Sequence, residues 1–182
     1  MYSVDENDKV IELSPIPQCS VGAPLPVVLS DEHRLLLAYL IEPTDPGWDG
    51  TTVRIVTPNS EEPVALVEFD RHYAHMFGPP NDEAFRGHPL AARGLHAYAA
   101  FQVEHSSWIR QLERMNSIHP RHKPESFKRF KHYVFAFHDS TFECIAEGLR
   151  VKEYEGPLEA VLEEMKKRLW QNRIVGGNQS AL

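Results

Sequence analysis

Apolar and polar positions along this chain repeat mostly at a period of two, the spacing of strands. Val64 to Phe69 puts Val64 and Leu66 on one face and Ala65, Val67 and Phe69 on the other, which predicts a strand buried on both sides. LHAYAAFQV, residues 95 to 103, alternates Leu95, Ala97, Ala99, Phe101 and Val103 against His96, Tyr98, Ala100 and Gln102 and predicts a second strand. A third is expected from His132 to His138, followed by a tight turn at HDST and a returning partner strand from Phe142 to Val151, with Gly148 as a bulge. The apolar run Leu35 to Ile41, which ends at Pro43 in EPTDPGWDG, and the β-branched stretch Thr52 to Val56 also suit strands. PNSEEP, residues 58 to 63, reads as a turn.

Helical spacing appears in fewer places. Ser106 or Ser107 can cap a helix whose Trp108, Ile109, Leu112 and Met115 recur on one face, and Pro124 can open a brief helix carrying Phe127 and Phe130. Pro89 to Arg93 predicts a short helical turn ended by Gly94. The strongest helix starts at Pro157, with Leu158, Val161, Leu162, Met165 and Leu169 as its apolar stripe and Gly176 and Gly177 as its stop. Pro15, Pro17, Pro24 and Pro26 mark residues 1–26 as an extended lead-in. A single globular domain over residues 27–172 and a flexible tail over 173–182 complete the expected organisation. Strands in close succession without βαβ alternation predict an α+β fold. Its sheet is predominantly antiparallel, sandwich-like or partly closed as a barrel, with two or three helices, the longest near the C-terminus.

Charge narrows the function classes. Nineteen Lys and Arg against 26 Asp and Glu give a formal charge of -7, which disfavours general nucleic-acid binding or attachment to an anionic membrane. The longest apolar run is far short of the roughly 20 residues a spanning helix needs, and MYSVDENDKV lacks the basic and apolar regions of an export signal. Cys19 and Cys144 have neither disulfide-framework nor metal-site spacing, so reduced thiols in a soluble cytoplasmic protein are expected, with Cys144 in the core.

Three stretches carry candidate chemistry. RHYAHMFGPPNDEAFRGHPL, residues 71 to 90, offers His72, His75, His88 and Asp82 as ligands for a divalent metal, zinc first, with Glu83 as a further ligand or base. No HExxH spacing supports this, and a solvated loop whose histidines cap backbone groups is the simpler reading. FHDSTFEC, residues 137 to 144, holds His138, Asp139 and Glu143 as candidate catalytic groups. Contiguous residues on a strand alternate between faces, so a turn is the simpler reading there. The basic patch HPRHKPESFKRFKH offers Arg121, Lys128 and Arg129 for a small anionic ligand, with Phe127 and Phe130 interleaved.

Trp48 and Trp170 suit partner anchors. The acidic helix with Glu153, Glu155, Glu159, Glu163 and Glu164 nearby suits a basic protein partner. The leading expectation is a small binding or regulatory domain that recognises a protein or small-molecule partner. The alternative is a hydrolase-like enzyme, metal-dependent or not, whose His/Asp/Glu site joins the 71–90 loop to the 137–144 hairpin.

Overall fold

The computed structural model describes residues 2–42 and 55–171, so Trp48, most of the Thr52 to Val56 segment and the Gly176/Gly177 stop lie outside the described residues. Two antiparallel sheets face each other. One has five strands, in the order β1 (Lys9–Glu12), β6 (Ala100–Glu104), β7 (Lys131–Ala136), β8 (Thr141–Ala146) and β5 (Ala74–Gly78). The other has four: β2 (Val27–Ser30), β3 (Leu35–Leu40), β4 (Val64–Asp70) and β9 (Gly148–Tyr154). The helices are α1 (Ser107–Asn116) and α2 (Leu158–Trp170). This is the α+β antiparallel architecture the pattern predicts, as a sandwich and not a closed barrel.

Strand alternation sorts the apolar residues into three layers. Leu35, Leu37, Tyr39, Val67 and Phe69 meet Tyr133, Phe135, Phe142 and Cys144 between the sheets. The other face of the four-stranded sheet buries Leu36, Ala38, Leu40 and Leu66 under Leu158, Val161 and Met165 of α2. The outer face of the five-stranded sheet buries Phe101, Val103, Val134, Ala136 and Ile145 under Trp108 of α1, Tyr2, Phe85, Leu90 and Leu95. Both sheets are therefore covered on both faces, which explains why β3 and β4 read as nearly continuous apolar runs.

Four expectations change. Phe142 to Val151 is not one strand: the chain crosses from one sheet to the other at Glu147, between β8 and β9. The bulge lies on the opposite chain, where residues 71–73 stand across from only Ala146 and Glu147 and Arg71 takes a left-handed φ of 45°. The 95–103 strand starts only at Ala100, because Tyr98 sits at φ 61° with its N–H bonded to the Ala136 carbonyl. Met115 is 65 % exposed, since α1 covers the sheet mainly with its first turn. The extended lead-in also supplies a strand, as β1 forms an edge strand on β6. No described helix is long and apolar enough to cross a membrane.

Candidate functional site

On β7 and β8 the residues facing α1 are His132, Val134 and Ala136, and Thr141, Glu143 and Ile145. Two of these polar side chains, His132 and Glu143, lie within an otherwise apolar layer. Glu143, with 7 % of its side chain exposed, accepts three hydrogen bonds. Tyr2 donates its hydroxyl to Oε2 at 2.6 Å, His132 approaches Oε2 through Nε2 at 2.8 Å, and His88 approaches Oε1 through Nε2 at 3.1 Å. Burial pushes this carboxyl up, but the bonds from His132, His88 and Tyr2 outweigh it and bring the pKa down to about 2. Tyr2 responds in the opposite sense: burial and the neighbouring carboxylate push its phenol far up, so it remains a donor.

The backbone fixes the tautomer of His88. Leu90 N–H donates to His88 Nδ1 at 3.1 Å, so the His88 proton sits on Nε2, toward Glu143. His132 Nδ1 lies 2.9 Å from Ser106 Oγ. With Nε2–H given to Glu143, Nδ1 accepts the Ser106 hydroxyl proton. Ser106 is the N-cap of α1, and its Oγ accepts the Ile109 N–H at 3.3 Å. Asp8, 2 % exposed, accepts the Ser107 N–H at 2.7 Å and the Ser107 hydroxyl at 2.8 Å. Aromatic rings wall the network: Tyr2 stacks on Trp108 at 5.4 Å, and Trp108 meets His132 edge-on at 5.2 Å. The result is an unbroken chain from Ser106 through His132 to Glu143, a hydroxyl, an imidazole and an ionised carboxylate in sequence.

Ser106, 3 % exposed, is among the residues lining a groove of about 660 Å³ formed by the end of β6, α1 and the segment 124–131. Phe127, Phe130, Ile109 and Val103 supply its apolar surface, and its charged lining is Arg110, Lys128 and Lys131 with the carboxylates Glu104 and Glu113, which pair with Lys9 and His122. Where the sequence predicts a brief helix carrying Phe127 and Phe130, Pro124–Phe127 forms a single 3-10 turn that brings Phe127 inward, 8 % exposed, and Phe130 lies beyond its end. His122 bonds Glu113 at 2.6 Å and Asn116 at 3.0 Å, which ties the preceding loop to α1.

The proposed metal ligands do not converge. His75 pairs with Cys144 in register on the sandwich-facing side of β8, where its ring lies 6.4 Å from Phe142, while His88 reaches Glu143 on the opposite face of the same sheet. His72 lies beside His75 at 5.9 Å between ring centroids, and Asp82 instead accepts the Tyr98 hydroxyl. Among the described residues no three His, Cys, Asp or Glu side chains gather closely enough to hold a metal ion.

Of the three catalytic candidates, Glu143 lies apart from His138 and Asp139. His138 bonds Asp139 at 3.0 Å in the exposed turn, where that bond, against slight desolvation, and the charge of Asp82 raise its pKa. Glu143 is buried with other partners. The 71–90 loop and the hairpin do meet, at His88 with Glu143, at the Asp82 N–H on the His138 carbonyl (2.8 Å) and at the Thr141 hydroxyl on the Pro80 carbonyl (2.9 Å).

Of the anion-binding candidates, Lys128 lines the groove, with Glu125 at 3.5 Å. Arg129 instead pairs with Glu147 at 2.9 Å and lies over the Phe130 ring, and Arg121 is exposed outside the groove. Burial pushes the thiols of Cys19, to about 12, and Cys144 upward, so neither is a thiolate nucleophile.

Tyr2, Ser106 and His132 were not among the expected functional residues. The available signal was strand phase: with Val134 and Ala136 facing a covered layer, His132 must be buried and needs a partner. Comparison with protein-family models, with curated proteins and with solved structures finds no match to this chain, so its function is read from this geometry.

Proposed function

We propose that this chain is a ligand-binding domain whose groove takes a small molecule with an apolar body and a carboxylate or phosphate group. One observation carries the reading: the basic, aromatic segment 124–131 folds as a wall of a concavity, with Phe127 and Phe130 beside Lys128 and Lys131. Aromatic surface favours an apolar body, and ammonium groups at its border favour an anion. Lys128 is 76 % exposed and its pairing with Glu125 is long, so an incoming anion can replace that partner. A basic protein docking on the acidic helix has less support, because Glu163 already pairs with Lys166 and Glu164 with Arg168.

Isothermal titration with phenyl phosphate and with phenylacetate tests the reading. Saturable binding is expected, weakened about tenfold by Lys131→Glu, since loss of one charge-assisted contact costs about 1.4 kcal/mol. Absence of saturable binding, or wild-type affinity in both Lys128→Glu and Lys131→Glu, overturns it.

A further inference from the structure

We propose that the same groove is a site of serine-dependent ester hydrolysis, with Ser106 as nucleophile, His132 as general base and Glu143 as the positioning residue behind it. The substrate class is a carboxylic ester that carries an anionic group, and this assignment of substrate rests on the ligand-binding reading of the groove. Three features meet at one place. Ser106 Oγ lies 2.9 Å from His132 Nδ1, His132 Nε2 lies 2.8 Å from a carboxylate held ionised in the core, and Ser106 borders the groove. An N-cap alone needs neither the imidazole nor the carboxylate.

The reaction balances with water as the only co-reactant. Ser106 Oγ adds to the ester carbonyl carbon as its proton passes to His132 Nδ1, and the imidazolium so formed is stabilised by Glu143. Collapse of the tetrahedral adduct breaks the bond to the alkoxy oxygen, which leaves as the alcohol with the proton from Nδ1. Water then adds to the acyl carbon and gives a proton to Nδ1. The carboxylic acid departs, and Ser106 Oγ recovers its proton. The Arg110 guanidinium borders the groove, where it pairs with Asp5 and lies 3.8 Å from Asp8, the carboxylate that holds the Ser107 N–H at the start of α1. His88 and Tyr2 act through Glu143: they hold its second oxygen and share its first, so the carboxylate stays aimed at His132.

An alkyl fluorophosphonate tests the nucleophile on the whole protein, with the labelled peptide mapped by mass spectrometry and hydrolysis of 4-acetoxybenzoate, an ester that carries a carboxylate, followed in parallel. A single adduct on Ser106 is expected, with turnover lost in Ser106→Gly, a replacement that retains most of the helix cap. Glu143→Asp and Glu143→Gln, assayed as folded protein by circular dichroism, should differ. The Asp variant should retain part of the labelling rate, whereas the Gln variant should lose about 100-fold or more, the scale of general-base assistance, and show an altered pH profile. Folded wild-type protein that takes no label at Ser106, or equal labelling of another serine in Ser106→Gly, overturns the proposal. If phenyl phosphate still binds such unreactive protein, the hydrolytic assignment alone fails. If Ser106 is labelled but phenyl phosphate does not bind, the nucleophile stands and the anionic-ligand reading fails.

Discussion

Replacing Glu143 by Gln isolates the buried carboxylate, because the amide retains the shape and removes the charge. Three donors converge on two oxygens at 2.6, 2.8 and 3.1 Å, and an amide offers one acceptor and one competing donor in their place. A carboxyl whose ordinary pKa of 4.5 falls to about 2 on folding contributes on the order of 3 kcal/mol at neutral pH. The sign follows from the depression: this stability is fully present above about 4.5 and is lost as pH falls toward about 2. Urea unfolding at pH 7, 5.5, 4.5, 3.5 and 3 should therefore show Glu143→Gln less stable by about 3 kcal/mol at pH 7, with the gap narrowing below pH 4.5 as the carboxyl of the unfolded wild-type chain takes up a proton that the folded state does not. Other acids titrate in both proteins and cancel in the difference. A gap of constant size from pH 7 to pH 3, or no gap at pH 7, would refute the view that an ionised Glu143 organises this layer.

Further outcomes follow from the packing and the exposed hydrogen bonds. Met165 is fully buried against the four-stranded sheet and Met115 is 65 % exposed. Met165→Ala should cost about 2–5 kcal/mol in chemical denaturation while Met115→Ala stays within about 0.5 kcal/mol, and equal costs would contradict the placement of the two helices. The hydroxyl of Tyr98 leads the groups that hold the Asp82 carboxyl below its ordinary range. Tyr98→Phe should raise the Asp82 midpoint in an NMR titration, and an unchanged midpoint would remove that contact. Lys131→Glu should weaken phenyl phosphate binding about tenfold, with Arg121→Glu, outside the groove, as the unaffected control.

Much of the fold was legible because its strands and α2 are set by local pattern. Leu35 to Leu40, Val64 to Phe69 and the stripe Leu158, Val161, Met165 and Leu169 each state a burial pattern that the layers satisfy. Tertiary pairing decided the remainder. The crossing at Glu147 and the left-handed Arg71 arise because a strand pair must turn from one sheet into the other, and no residue type near them announces it. β1 is a strand because the free edge of β6 is available to Lys9–Glu12, a fact absent from that segment's own composition.

The site divides in the same way. His88 and Glu143 stood out by type, and their meeting needs the segment after β5, residues 79–90, to carry His88 to the outer face of the sheet that β5 joins beside β8. The metal reading grouped His75 with His88, although the sheet puts them on opposite faces. Tyr2 escaped notice because it lies 141 residues from Glu143 in sequence. Ser106 read as a cap and is one; its second bond, to His132, depends on the approach of β6 and β7.

Long-range nitrogen–proton correlation of the imidazoles at pH 8 addresses the arrangement at its centre. The account predicts that both His88 and His132 carry their proton on Nε2, toward Glu143, leaving Nδ1 of His88 to the Leu90 amide and Nδ1 of His132 to the Ser106 hydroxyl. A proton on Nδ1 of His132 would contradict it, because Ser106 would then face a donor in place of a base.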